Sequence, residues 1–191
     1  MTDDTTPEAP TTEPTGRALA LRVAVGDIER HVAARGWDGP VAVFALVRTT
    51  DALAATPALG EELPADALAA AERDPEHLTS IEQEGLPAAE TIEELLGQLG
   101  WPEEVDGAAV VLERMVVPPE AEQGLPEDQE EAVEQLMAHP ERQDVRMAAG
   151  VLRSGESWCA IRSRRHDSDD AVAGSADAVP GLVEALHATL R

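Results

Sequence analysis

The chain of 191 residues has no tyrosine and no lysine, a single cysteine, and only four aromatic side chains, Trp37, Phe44, Trp101 and Trp158. One cysteine excludes an intramolecular disulfide and any metal site built from several thiolates. Without lysine the phosphate-binding loop G-x-x-x-x-G-K-[ST] is impossible, and G-x-G-x-x-G, H-E-x-x-H, C-x-x-C and the EF-hand loop are also missing. The longest unbroken apolar run, residues 41–47, is seven residues long, whereas crossing a bilayer takes about 20. Residues 1–16 carry neither a basic start nor an apolar stretch, so they do not read as a secretory signal. These absences lead to the expectation of a cytoplasmic protein with no cofactor and no membrane partner.

Positive charge is scarce as well. Fourteen arginines face 38 acidic side chains, for a net charge of -24. Such a field repels phosphate backbones and anionic lipid surfaces, and the basic side chains form only one short cluster, so nucleic acid is not an expected partner. Acidic runs at residues 82–106 (eight acids, no arginine) and 120–144 (nine acids, one arginine) are instead candidate docking surfaces for a basic protein partner.

What is abundant is alanine. Of 82 apolar residues 33 are Ala, 19 Leu and 17 Val, a composition suited to helices packed closely on a sheet. Thirteen of the first sixteen residues are Thr, Pro, Asp or Glu, with nothing to bury, so 1–16 reads as a disordered tail and 17–191 as one domain. Leu21, Val25, Ile28 and Val32 give a helix over 17–35 one apolar stripe, with Asp27, Glu29 and Arg30 off it. Residues 41–47 do not alternate and read as a strand buried on both faces. One or two short helices are expected over 50–76, the clearest at 64–73 with Pro64 in its first turn, then an edge strand over 77–84. Thr91-x-x-Glu94 is a capping box ahead of Ile92, Leu95, Leu96 and Leu99. A strand over 107–117, a helix from about 127 to 139, a hairpin of 143–153 and 157–164, and a last helix over 179–190 complete the chain. The predicted fold is α+β: an antiparallel or mixed sheet of about four to five strands with helices packed on it.

Few residues offer chemistry. Gly155-Glu-Ser157-Trp-Cys159 is near a nucleophile elbow but lacks the last glycine and sits at a hairpin turn. Cys159 falls mid-strand, the place of a buried, inert thiol. His31, His77, His139, His166 and His187 are scattered over different elements. Only the loop 162–170 gathers functional groups: Arg162, Arg164, Arg165 and His166, with Asp167, Asp169 and Asp170. His166, Asp167, Asp169 and Asp170 are candidate ligands for Mg²⁺ or Mn²⁺, with the neighbouring arginines competing for the same carboxylates. Strand alternation puts Trp158, Ala160, Arg162 and Arg164 on one face, with Arg165 on the other. A two-residue turn at 154–155 or 155–156 would add Val145, Met147, Ala149 and Val151 to the first face. Arg162, Arg164, Arg165, His166 and Trp158 are therefore the candidate binding residues for a small anion, unless internal carboxylates pair with the arginines.

The blocks Arg30-His-Val-Ala-Ala-Arg-Gly-Trp37, Pro40-Val-Ala-Val-Phe-Ala-Leu-Val47, Gly100-Trp-Pro102, Gly107-Ala-Ala-Val-Val-Leu-Glu113, Arg165-His-Asp and Val179-Pro-Gly-Leu-Val-Glu-Ala-Leu186 resemble an uncharacterised family of acidic actinobacterial proteins. The resemblance runs over residues 17–190 and implies a cytosolic protein of a G+C-rich actinobacterium, without lending an activity or a site. The expected function is that of a non-enzymatic interaction or accessory protein with an unidentified protein partner. The alternative is small-anion binding or metal-assisted hydrolysis by the 162–170 loop. Oligomeric state is left open.

Overall fold

A computed structural model describes residues 15–122, 124–126 and 128–191; the expected tail thus lies outside the described residues up to position 14. Thr15 and Gly16, read as the end of the tail, belong to the fold: Gly16 opens the first helix, α1 (Gly16–Ala33), and Thr15 caps it by accepting from the Ala18 N–H at 3.2 Å. Six strands follow in one sheet: β1 (Ala42–Arg48), β2 (Leu78–Glu82), β3 (Gly107–Val116), β4 (Gln143–Leu152), β5 (Ser157–Ser163) and β6 (Ala173–Ser175). Their spatial order is β2-β1-β3-β4-β5-β6, every neighbour antiparallel. The fold is α+β as expected, but the sheet has six strands instead of four or five. The extra one, β6, is Ala-Gly-Ser, three residues with no β-branched side chain, so no strand pattern marks it. It forms because β5 would otherwise leave its outer backbone groups unpaired.

Between β1 and β2 lie three short helices instead of one or two, α2 (Thr49–Ala55), α3 (Leu59–Glu62) and α4 (Ala65–Arg73), with Pro64 as the cap of α4 and not inside its first turn. Half of the capping box forms at α5 (Ile92–Gly97): the Thr91 hydroxyl accepts from Glu94 N–H at 3.1 Å, while the Glu94 carboxylate accepts from Glu90 N–H at 2.8 Å, one residue before the N-cap. Helix α6 (Gln129–Met137) sits in the long β3–β4 connection, and α7 (Pro180–Thr189) closes the chain.

Two cores flank the sheet. On one face α1 lies chiefly over β4 and β5 and buries Leu21, Val25 and Ile28 against Phe44, Leu46, Ala109, Val111, Ala148, Leu152 and Ala160. The small strand side chains let the helix sit close: a Cβ on Gly150 would come within 2.5 Å of Val25 Cγ2. On the other face α5 and α7 cover Val43, Ala108, Val110, Leu112, Ala149, Val151 and Cys159. Because helices cover both faces, β3 is buried from Gly107 to Leu112 without alternation, and burial falls away where the helices end.

The β4–β5 hairpin corrects the face assignment. The last bonded pair is Leu152 N–H to Glu156 C=O at 2.9 Å, so three residues, 153–155, form the loop, with Gly155 at φ 105°. A loop one residue longer shifts the register by one and exchanges the faces. Arg162 therefore pairs across from Arg146, Ala160 from Ala148 and Trp158 from Gly150; Val145, Met147, Ala149 and Val151 point to the other side. Arg153, in that loop, donates to the carbonyls of Trp101, Pro102, Val105 and Leu190, tying the hairpin tip to the end of the chain.

Candidate functional site

The exchange of faces places Arg146 and Arg162 side by side under the C-terminal half of α1. Both are almost fully buried, and so is Glu29 above them. The sequence puts Glu29 off the apolar stripe. It is four residues after Val25 and so borders that stripe, over the two arginines. The Arg162 guanidinium donates from Nε and Nη2 to the two Glu29 oxygens at 2.7 and 2.8 Å, from Nη2 to Asp169 at 2.6 Å and from Nη1 to Asp167 at 3.3 Å. Glu29 first, and then Asp169, raise its pKa above the ordinary arginine value despite burial.

Arg146 donates from Nη2 to Glu113 at 2.8 Å and to the Gly36 carbonyl, while Nη1 lies 3.8 Å from Glu29. Its Nε and Nη1 have no hydrogen-bond partner among the described residues. Trp37 lies against it, the guanidinium carbon 4.4 Å from the ring centroid, and that of Arg164 is 5.4 Å away. The Trp37 N–H donates to Asp167 at 2.8 Å, and this bond, more than the nearby Arg162, holds the Asp167 carboxyl below the ordinary value. Arg164 clasps Asp38 with two bonds of 2.8 Å, which lowers the Asp38 pKa, and Asp38 N–H donates to Glu113 at 2.7 Å. Asp38 adopts φ 65°, the tight bend that carries Trp37 over the arginines.

The result is an ionic clasp joining α1, the α1–β1 bend, β3, β4, β5 and the loop after β5. Three guanidiniums (Arg146, Arg162, Arg164) meet five carboxylates (Glu29, Asp38, Glu113, Asp167, Asp169). The cluster is over-neutralised, so it has no electrostatic reason to take up a further anion.

The predicted site residues separate accordingly. Arg162 and Arg164 are in the clasp. Trp158 sits two positions beyond Ala160, away from them, under the guanidinium of Arg22 at 5.1 Å. His166 is exposed, and its backbone bridges to Ser163. Of the candidate metal ligands, Asp167 and Asp169 bind Arg162, and Asp170 is held below its ordinary pKa by the Ser168 hydroxyl. Among the described residues no three His, Cys, Asp or Glu side chains are arranged to hold a metal ion. Cys159 is buried, and burial pushes its thiol pKa up. Sequence reasoning missed Glu29, Trp37, Asp38, Glu113 and Arg146; an odd-length hairpin loop was the signal that would have found Arg146.

Hollows open where β3, β4 and β5 outrun the helices, one of about 280 Å³ beside Asp38, Glu113 and Arg164 of the clasp and two further ones. An apolar one of about 340 Å³ lies between the starts of α5 and α7 and is lined by Leu112, Met115, Met147, Val179 and Leu182 among others. A polar one of about 320 Å³ is lined by Met137, His139, Arg142, Asp144, Arg164 and Arg165. Arg165 reaches it because β5 ends at Ser163, where strand alternation stops. Beside the polar hollow, which its Met137 lines, is α6, capped by Asp128, whose carboxylate accepts from Glu130 and Glu131 N–H at 2.9 and 3.1 Å. It makes no sizeable contact with another helix or strand among the described residues and leaves Val133 and Met137 about half exposed. No described helix is long and apolar enough to cross a membrane.

A family model described as PPA1309-like protein matches residues 21–191, and the chain belongs to that uncharacterised family. No curated protein and no solved structure matches the chain.

Proposed function

We propose that this member of the PPA1309-like family is a non-enzymatic accessory protein that binds another protein through α6. The observation that carries this reading is the helix itself. Nine residues are too few to hold a helix in water without tertiary support, yet α6 stands off the sheet with both ends capped. Val133, Leu136 and Met137, at i, i+3 and i+4, make one apolar edge, and Glu130, Glu131 and Glu134 surround it with negative charge. A helix of that kind fits a partner presenting an apolar groove with a basic rim. The groups that would do chemistry are engaged otherwise: Arg162 in the clasp, Cys159 in the core.

The test is capture from native lysate by the wild type and by Val133→Asp/Met137→Asp, each shown by circular dichroism to be folded. One stoichiometric protein, bound by the wild type, released by salt and lost by the double variant, is the expected result. Retention of that protein by the double variant, or the absence of any stoichiometric partner, overturns the reading.

A further inference from the structure

We infer that the hollow between the end of α6 and the end of β5 is a binding site for a small phosphate-bearing anion. It is lined by three guanidiniums, Arg142, Arg164 and Arg165, and by His139, against one carboxylate, Asp144. Counting Asp38, which holds Arg164, three guanidiniums meet two carboxylates, a small local excess of positive charge in a chain of net charge -24. It differs in kind from the clasp, where carboxylates outnumber arginines.

Each cationic group is already held in place, with donors left over. Arg165 gives Nη2 to the carbonyls of Pro140 and Arg142 at 3.2 and 2.8 Å, which leaves the N–H groups of Nε and Nη1. Arg142 gives Nη1 to the Met137 carbonyl at 3.1 Å and Nη2 to Asp144 at 3.2 Å. Arg164 is oriented by Asp38 and rests near Trp37. The Nδ1 of His139 accepts from the Glu141 N–H at 3.2 Å, so in the neutral ring the proton sits on Nε2 as a further donor. Groups fixed before binding lose little entropy when a ligand arrives. Guanidiniums approaching from the residue before β4 and from the turn after β5 suit the several oxygens of a phosphoryl group better than a planar carboxylate.

The hollow shares Met137 with the edge of α6 proposed for a partner, but its test uses the isolated protein and a small ion, so the two readings fail separately. Titration of the full chain with inorganic pyrophosphate at low ionic strength, followed by calorimetry and ³¹P NMR, is expected to show saturable binding of one equivalent. Arg142→Gln and Arg165→Gln are each expected to weaken it by about tenfold or more. Asp144→Asn, which removes the one carboxylate of the lining, is expected to tighten it, a change that loosened packing would not produce. Arg22→Gln, at Trp158, leaves binding as it is. No saturable binding by the wild type, or equal binding by the double variant Arg142→Gln/Arg165→Gln in a folded protein, overturns the inference.

Discussion

The clasp makes its strongest claim at Glu29. Glu29→Gln keeps the shape of the side chain and removes its charge. The Glu29, Arg146 and Arg162 side chains are 1%, 1% and 3% exposed, so water cannot replace what is lost. The amide keeps one oxygen for the two N–H donors now at 2.7 and 2.8 Å, and turns its own NH₂ toward a guanidinium. Removing one partner of a buried ion pair costs about 3–5 kcal/mol. Asp169 and Asp167 still hold Arg162 from the exposed side, so the lower end, about 3 kcal/mol, is expected. With a urea slope of about 2 kcal/mol per molar, the midpoint falls by about 1.5 M, a large part of the ~5–15 kcal/mol that holds a domain. Arg162→Ala, which leaves Glu29 with Arg146 alone at 3.8 Å, is expected to lower the unliganded Tm in the same way. Urea unfolding followed by tryptophan fluorescence and circular dichroism measures both. The triple variant Glu29→Met/Arg146→Met/Arg162→Met is expected to recover much of the loss, because it removes together the three almost fully buried charges, and the carboxylates left behind, Glu113, Asp167 and Asp169, reach water. A Glu29→Gln protein within about 1 kcal/mol of wild type, or a triple variant no better than the single, would refute the reasoning.

Gly150→Ala puts a methyl group 2.5 Å from Val25 Cγ2 and is expected to destabilise by about 1–3 kcal/mol, read as a lower urea midpoint; a neutral result would mean that α1 does not lie so close. Asp38, Asp167 and, beside Arg35, Glu82 are held below their ordinary pKa values, so the unfolded chain binds protons first. Their contribution is whole above the unfolded carboxyl values of about 4 and is lost as pH falls through the lower folded ones; urea midpoints taken between neutral and acid pH are expected to fall, and less steeply in Asp167→Asn. Cys159, buried and with its thiol pKa raised, is expected to resist a disulfide exchange reagent until urea unfolds the chain; prompt labelling of the native protein would contradict its place beneath α7.

Much of the fold was legible because its signals are local. The stripe Leu21, Val25, Ile28 places α1 on the sheet, Thr91 and Glu94 mark the start of α5, and an unalternating 41–47 announces a strand covered on both sides. The clasp was not legible, because it depends on parity. Whether Arg146 or Met147 stands on the side of Arg162 is decided by one residue of loop length, and Ser154-Gly155-Glu156 is compatible with either count. Glu29 was hidden for a related reason: a carboxylate bordering an apolar stripe reads as a solvent-facing position unless a buried cation is known to lie beneath it. Arg162 has nearby partners in Asp167 and Asp169, 5 and 7 residues on, but Glu29 and Asp38, which hold Arg162 and Arg164, come from 133 and 126 residues away in sequence.

The position of the clasp has a consequence for both proposed sites. Helix α1 ends at Ala33, while β3 and β4 run on to Val116 and back from Gln143, so the end of the sheet lacks a helix to cover it. An apolar surface there would invite association. The sequence instead places Glu113, Arg146, Arg162 and Arg164 on that face and closes it with Trp37. The arm bearing α6 leaves and re-enters the fold at this same end, and Arg164 belongs to both the clasp and the anion hollow. Disturbing Glu29 should therefore be felt at the hollow, through Arg162, Asp167 and Trp37 to Arg164. At a temperature where Glu29→Gln remains folded, its pyrophosphate affinity is expected to fall although Glu29 lines no part of the hollow. Unchanged affinity in that variant would show that the hollow is held by Arg142 and Arg165 alone and owes nothing to the clasp.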